Sequence, residues 1–264
     1  MPAGRVVAIV LSVLALAGCV TVGPTEQAVD ASRYWLPGDA VPAKVDVPAA
    51  FAAFEDAGAS GPIGELPQDV QGRWPAVVLL HGCTGMGGET PRQARVFASL
   101  GYAAFAADSF ARHGRTAQCH QQNRSHLAMR HDEAEMLHRR ISQLPWIDTD
   151  RIVLAGHSEG GWAVGWYRGG GFRAAVITGW DCKAPGTLPV AERMPTLVVN
   201  NVADPEYRDG AMARCRSSVA GAGNGSRAVL FNRSGHGVAE KQGFETAVRA
   251  FLVEHVGAPE TAAR

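Results

Sequence analysis

The stretch Ile152-Val153-Leu154-Ala155-Gly156-His157-Ser158-Glu159-Gly160-Gly161-Trp162 runs from four consecutive apolar residues into a glycine-flanked serine and then into a helical pattern. A short apolar run bounded by turn residues reads as a buried strand, and Gly156-x-Ser158-x-Gly160 supplies that boundary. A serine held on a sharp strand-to-helix turn projects its hydroxyl above the sheet edge. The small residues two positions to either side let strand and helix approach without collision. The pattern occurs once in the chain.

Outward from this turn, apolar β-rich runs recur at Ala76 to Leu80, Tyr102 to Ala107, Ala174 to Thr178, Thr196 to Val199 and Ala228 to Phe231. Longer mixed segments separate them, with helical patterns at Pro91 to Leu100, Ser125 to Leu144, Ser158 to Tyr167, Glu206 to Ala220 and Ala239 to Val256. Alternation of strand and helix predicts an α/β fold with a mostly parallel central sheet flanked by helices on both faces. Between Thr178 and Thr196 there is too little chain for a separate lid domain, which predicts an open site. From about residue 45 to 74, short pieces broken by Gly58, Gly61, Pro62, Gly64 and Pro67 predict a small antiparallel edge.

A lone serine hydroxyl is a weak nucleophile near neutral pH, so chemistry at Ser158 requires a base and an acid, and after this kind of turn they follow in the order acid, then histidine. Asp204 follows the Thr196 run across a short predicted turn, Asn200-Asn201-Val202-Ala203, which places it at the carboxyl edge of the sheet. His236 follows the next strand inside Ser234-Gly235-His236-Gly237. Glu206 and Asp209, on the adjacent predicted helix, and Asp181 compete for the role of the acid, with Asp204 the better placed. Acyl transfer also needs two backbone N–H donors for an oxyanion, one from the residue after the nucleophile and one from an earlier βα loop. Glu159 is the first by position. Cys83, in His81-Gly82-Cys83-Thr84-Gly85, is the choice for the second, with Thr84 next.

On His81 to Gly85, Asp108-Ser109-Phe110, Gly156 to Gly161, Asp204 and His236-Gly237, the chain resembles a serine-nucleophile member of the dienelactone hydrolase family of the α/β-hydrolase fold, over roughly residues 74 to 256. The resemblance implies a cofactor-free ester or lactone hydrolase. Dienelactone hydrolases proper carry a Cys nucleophile, whereas Ser158 stands here, and Gly82 stands where an acidic residue is expected. A lipase or polyester hydrolase reading therefore stays open. So do an acyltransferase or thioesterase with the same triad, and a non-catalytic envelope binding protein that keeps the fold. The family topology sets the strand ending near His81 beside the one ending near Asp108, and pairs the strands before Cys182 and Asp204. It thereby implies the disulfides Cys83–Cys119 and Cys182–Cys215, a choice among three pairings that spacing alone does not make.

The 264 residues carry 25 Lys plus Arg against 25 Asp plus Glu, with 46% hydrophobic residues. That balance excludes a disordered chain and the basic surface of a nucleic-acid binder, and no nucleic-acid partner is expected. Arg5 precedes an apolar run from Val6 to Ala17, too short to span a bilayer stably and right for an export signal. The run ends Leu16-Ala17-Gly18-Cys19, which resembles the lipobox of bacterial lipoproteins, with Cys19 acylated. The expected organisation is a signal peptide over 1–18, a tether over 19–45 and one hydrolase domain over 46–264. The expected product is a monomer anchored through Cys19; by resemblance to enteric lipoproteins, Val20 rather than Asp after the cysteine implies the outer membrane, facing the periplasm, and the chain is secreted if Cys19 is not lipidated. An oxidising compartment permits disulfides.

His113, His120, His126, His131 and His138 gather in one stretch without the spacing of helical zinc ligands, and no metal site is expected. Arg112, His113 and Arg115 follow a strand at its carboxyl edge. With Trp180, Arg112 and His113 are candidates for the pocket lining, and Trp162 opens the nucleophile helix.

Overall fold

The computed structural model describes residues 23–37, 59–67, 70–111, 119, 122–207, 211–240 and 242–258. Its elements run α1 (Pro24–Asp30), β1 (Arg33–Leu36), β2 (Ala59–Pro62), β3 (Trp74–Leu80), α2 (Glu89–Ser99), β4 (Ala103–Ala107), α3 (Arg124–Ile141), β5 (Ile147–His157), α4 (Glu159–Gly165), β6 (Ala174–Thr178), β7 (Thr196–Ala203), α5 (Ala211–Ala220), β8 (Arg227–Ser234) and α6 (Phe244–His255). One sheet holds all eight strands in the order β2-β1-β4-β3-β5-β6-β7-β8. The pairings from β4 to β8 are parallel, and β1 pairs antiparallel with both β2 and β4.

The strands alternate their side chains between two buried layers, as a period of two requires. Val78, Phe105, Leu154 and Ile177 face the layer built with α1, α3, α4 and α5. Val77, Ala104, Val153 and Val176 face the layer built with α2 and α6. Both faces of the central strands are covered, which is why β3, β4 and β6 read as unbroken apolar runs rather than as alternating ones. The mostly parallel α/β sheet expected from the sequence is the observed one. The segment from Gly179 to Pro195, between β6 and β7, is short and irregular, and among the described residues no large lid domain stands over the sheet.

Three expectations need correction. Part of the expected tether is folded: residues 24–30 form α1, and 33–36 form β1 at the antiparallel edge. The Asp108 amide bonds the Ala28 carbonyl at 3.1 Å, and Ala28, Val29, Tyr34, Trp35 and Leu36 are buried. A four-residue strand has no sustained periodicity, and its partners lie at 59–62 and 104–106, too distant to show locally. The Asn200 to Ala203 segment is strand, not turn: β7 continues through it, with a register shift between Asn201 and Ala203. Finally, α5 starts at Ala211, so Glu206 and Tyr207 lie in a turn ahead of it, and α6 starts at Phe244 rather than Ala239. Residues 1–18, Cys19, Arg112, His113, Arg115, His120 and Asp209 lie outside the described residues.

Candidate active site

Three glycines set the geometry around Ser158. A Cβ at Gly156 would lie 2.4 Å from the Gly160 carbonyl oxygen, and one at Gly160 would lie 1.9 Å from that of Leu80, so α4 is packed directly on β5 and β3. A Cβ at Gly161 would lie 2.8 Å from the Thr178 carbonyl oxygen on β6. Between them Ser158 takes φ 56° and ψ −115°, a conformation that costs a non-glycine residue on the order of 1–3 kcal/mol. The surrounding structure holds it there: the Ser158 amide donates to the Thr178 carbonyl at 2.9 Å, and the Ser158 carbonyl accepts from Trp162 at 2.8 Å.

Ser158 and His236 line one cavity of about 550 Å³ together with Gly82, Cys83, Thr84, Cys119, Gln122, His157, Glu159, Glu206 and Tyr207. His236 donates from Nδ1 to Oδ2 of Asp204 at 2.8 Å, which leaves its Nε2 lone pair to accept a proton. The Asp204 side chain is 1% exposed and that of His236 26%, so a buried carboxylate stands behind a reachable imidazole. The second oxygen of Asp204 accepts from the Glu206 amide at 2.9 Å. Of the competing acids, Asp181 is paired with Arg214 at 3.0 Å, and Glu206 borders the cavity without a bond to His236. Cys83 and Glu159, expected as the backbone donors, both line the cavity, and the Cys83–Cys119 disulfide ties the loop after β3 to a residue on the same wall. The second expected disulfide, Cys182–Cys215, is also formed.

The loop that carries His236 is pinned on both sides. Glu89 Oε1, at the start of α2, accepts from the amides of Val238 and Ala239 at 2.7 Å each. Asn201 Nδ2, on β7, donates to the carbonyls of Gly235 and Gly237 at 2.7 and 2.9 Å. A buried chain then leads from Glu89 through Gln93 to the Thr178 hydroxyl and on to Nδ1 of His157. The His157 ring packs 4.7 Å from that of His236. Burial, and then the neighbouring His236, push the His157 imidazole down to about 3, so it stays neutral.

Behind the loop after β3, Arg130 is fully buried and donates to the His81 carbonyl at 2.9 Å and to Glu133 at 3.1 Å. The Ser109 amide donates to Nε2 of His81, so the His81 proton sits on Nδ1 and bonds the Gly82 carbonyl. These contacts fix the end of β3 where Gly82 meets Ser158: a Cβ there would lie 3.3 Å from Cβ of Ser158.

The sequence did not single out Glu89, Asn201, Gln122 or Tyr207. Tyr207 donates to the Gly179 carbonyl at 2.7 Å and lies 5.8 Å, ring to ring, from His236. Burial first, then the carboxylates of Asp204, Asp181 and Glu206, raise its phenol above the ordinary value, while hydrogen bonding with the Ser158 side chain acts the other way. Two adjacent asparagines entering a buried strand end were the one available signal for Asn201, since buried amides need partners. Of the clustered histidines, His126 pairs with the buried Glu159 at 3.0 Å, while His131 and His138 bond the carbonyls of Ala163 and Gly171. Among the described residues no group of three or more His, Cys, Asp or Glu side chains is arranged to hold a metal.

The family model described as dienelactone hydrolase family matches residues 64–254. Several solved structures share the fold. A Klebsiella pneumoniae subsp. pneumoniae protein assigned as a dienelactone hydrolase is 15% identical, with 71% of this chain and 88% of that one covered and a TM-score of 0.51. Thermogutta terrifontis esterase 2, solved phosphorylated by paraoxon, is 19% identical, with 74% and 88% covered and a TM-score of 0.50. Pyrococcus horikoshii acylaminoacyl peptidase is 15% identical with a TM-score of 0.50, and 76% of this chain spans only 40% of that one. No curated protein matches the chain.

Proposed function

Since the chain belongs to the dienelactone hydrolase family, and so to a family of hydrolases, we propose that it cleaves carboxylic esters or lactones through an acyl-enzyme on Ser158. The observation that carries this reading is a serine in a strained turn that shares one cavity with a histidine whose far nitrogen is bonded to a buried aspartate. His236 Nε2 takes the Ser158 proton as Oγ attacks the substrate carbonyl. The Cys83 and Glu159 amides receive the oxyanion, and His236 returns the proton to the leaving alcohol oxygen as the C–O bond breaks. Water, deprotonated by the same imidazole, then releases the acid and restores Ser158. Asp204 holds the imidazole tautomer and stabilises the imidazolium.

Hydrolysis of p-nitrophenyl acetate and butyrate by the chain lacking residues 1–19 tests the reading, together with labelling by a fluorophosphonate. Ser158→Ala is expected to lose on the order of 10⁴-fold in kcat and all labelling. A wild-type protein that neither hydrolyses nor labels would remove the proposal in favour of a binding protein. Product analysis with added alcohols separates hydrolysis from acyl transfer.

We further propose that the protein is exported and anchored through Cys19, on the run from Val6 to Ala17 and the Leu16-Ala17-Gly18-Cys19 ending. Two disulfides suit an oxidising compartment. Metabolic labelling with an alkyne fatty acid is expected to mark the wild type and not Cys19→Ser. Equal labelling of both would exclude the anchor.

A further inference from the structure

Next to the Ser158 cavity lies a larger one, of about 940 Å³, whose walls include Leu127, Trp162, Trp166, Trp180 and Tyr207. Gln122 and Tyr207 line both cavities, so the second continues from the first. From this arrangement we infer a subsite for an aromatic group of the ester, and a substrate class of arylalkyl rather than small or purely aliphatic esters. The inference rests on the serine-hydrolase reading.

Three indoles from two segments meet here because α4 leaves the nucleophile turn along the same edge at which β6 ends. Trp162 and Trp166 are one helical turn apart, and Trp180 follows Thr178 by two residues. The walls are built in advance. Trp180 is 2% exposed, and its ring is packed so closely on Gly165 that a Cβ there would lie 2.2 Å from it. Its backbone is held by Asn200, which donates to the Trp180 carbonyl at 2.8 Å and accepts from its amide at 3.3 Å. Trp162 is 9% exposed and stands edge-on to the His126 ring at 6.1 Å. Walls that need no ordering on binding favour a rigid guest of matching shape. Flat indole and phenol faces reward an aromatic ring with offset or edge-to-face contacts beyond area burial, which an alkyl chain does not gain.

The experiment uses two ester series of matched intrinsic reactivity. One varies the acyl group (ethyl acetate, hexanoate and 3-phenylpropanoate), and the other varies the alcohol (ethyl, hexyl and 3-phenylpropyl acetate). In at least one series the phenyl member is expected to exceed ethyl acetate in kcat/KM by about tenfold or more, and to exceed the hexyl or hexanoyl member. The series that responds tells which side of the ester the subsite holds. The ratio of phenyl to ethyl acetate kcat/KM is expected to fall at least fivefold both in Trp166→Ala, which removes a wall, and in Leu127→Trp, which fills the space. In Ser158→Ala, where no turnover interferes, the favoured phenyl ester is expected to quench tryptophan fluorescence saturably, and less so after Trp166→Ala. A protein that labels with fluorophosphonate and hydrolyses ethyl acetate, yet shows no phenyl preference or one indifferent to both substitutions, overturns the subsite and leaves the hydrolase reading standing. Absence of labelling removes both.

Discussion

Glu89 and Val238, 149 residues apart in sequence, are joined by a 2.7 Å hydrogen bond from the Val238 amide to the Glu89 carboxylate, two residues beyond His236. The bond makes the N-terminus of α2 a fixed support for the imidazole of a different loop. Glu89→Ala leaves the Val238 and Ala239 amides without this acceptor, at a cost of about 1–3 kcal/mol. We expect a lower urea midpoint, a kcat reduced roughly tenfold and a KM little changed, with Glu89→Gln recovering most of both because its amide oxygen can occupy the same position. An unchanged kcat in folded Glu89→Ala would show that the loop holds itself.

The closest approach in the turn around Ser158 is at Gly160, where a methyl group would meet the Leu80 carbonyl at 1.9 Å. The Leu80 carbonyl is backbone and a Cβ is fixed by its own backbone, so neither can rotate away. Gly160→Ala is expected to cost about 4 kcal/mol or more and to leave little folded protein, by thermal melting and soluble yield. At Gly82 the corresponding distance, 3.3 Å to Cβ of Ser158, predicts that Gly82→Ala folds and loses activity instead.

Acid stability follows from His157. Its imidazole titrates near 6.5 when unfolded and about 3 when folded, because burial and His236 disfavour the cation. The unfolded chain therefore binds more protons between these values, and stability present above pH 6.5 is lost as the pH falls towards 3. Burial lowers His131 and His138 in the same direction. Urea midpoints at pH 7.5 and 5 are expected to differ in the wild type, and to differ less in His157→Gln. An equal slope in both would assign the pH dependence elsewhere.

The Cys83–Cys119 bond closes a separation of 36 residues and holds the loop that bears the proposed Cys83 donor. Replacing both by Ser is expected to lower stability by about 4 kcal/mol on the chain-entropy estimate. If the bond braces the oxyanion site, kcat falls further than fluorophosphonate labelling of the remaining folded protein does. Removing Cys182–Cys215, which lies behind Trp180, is expected to change stability without that split.

The amino-acid sequence by itself determined the parallel α/β sheet, the strained turn at Ser158, and the order of Asp204 and His236 after it. Each is a local pattern: an apolar run of strand length, a pair of glycines around a serine, a polar residue just past a strand end. Tertiary structure alone decided that β1 joins the sheet and α1 packs on it rather than serving as a tether, because a four-residue strand is specified by its partners on β2 and β4. It alone decided that Glu89 and Asn201 pin the His236 loop, and that Trp162, Trp166, Trp180 and Tyr207 enclose one cavity. These relationships depend on distances between chain segments brought together only when both faces of the sheet are covered, and no periodicity along the chain encodes them.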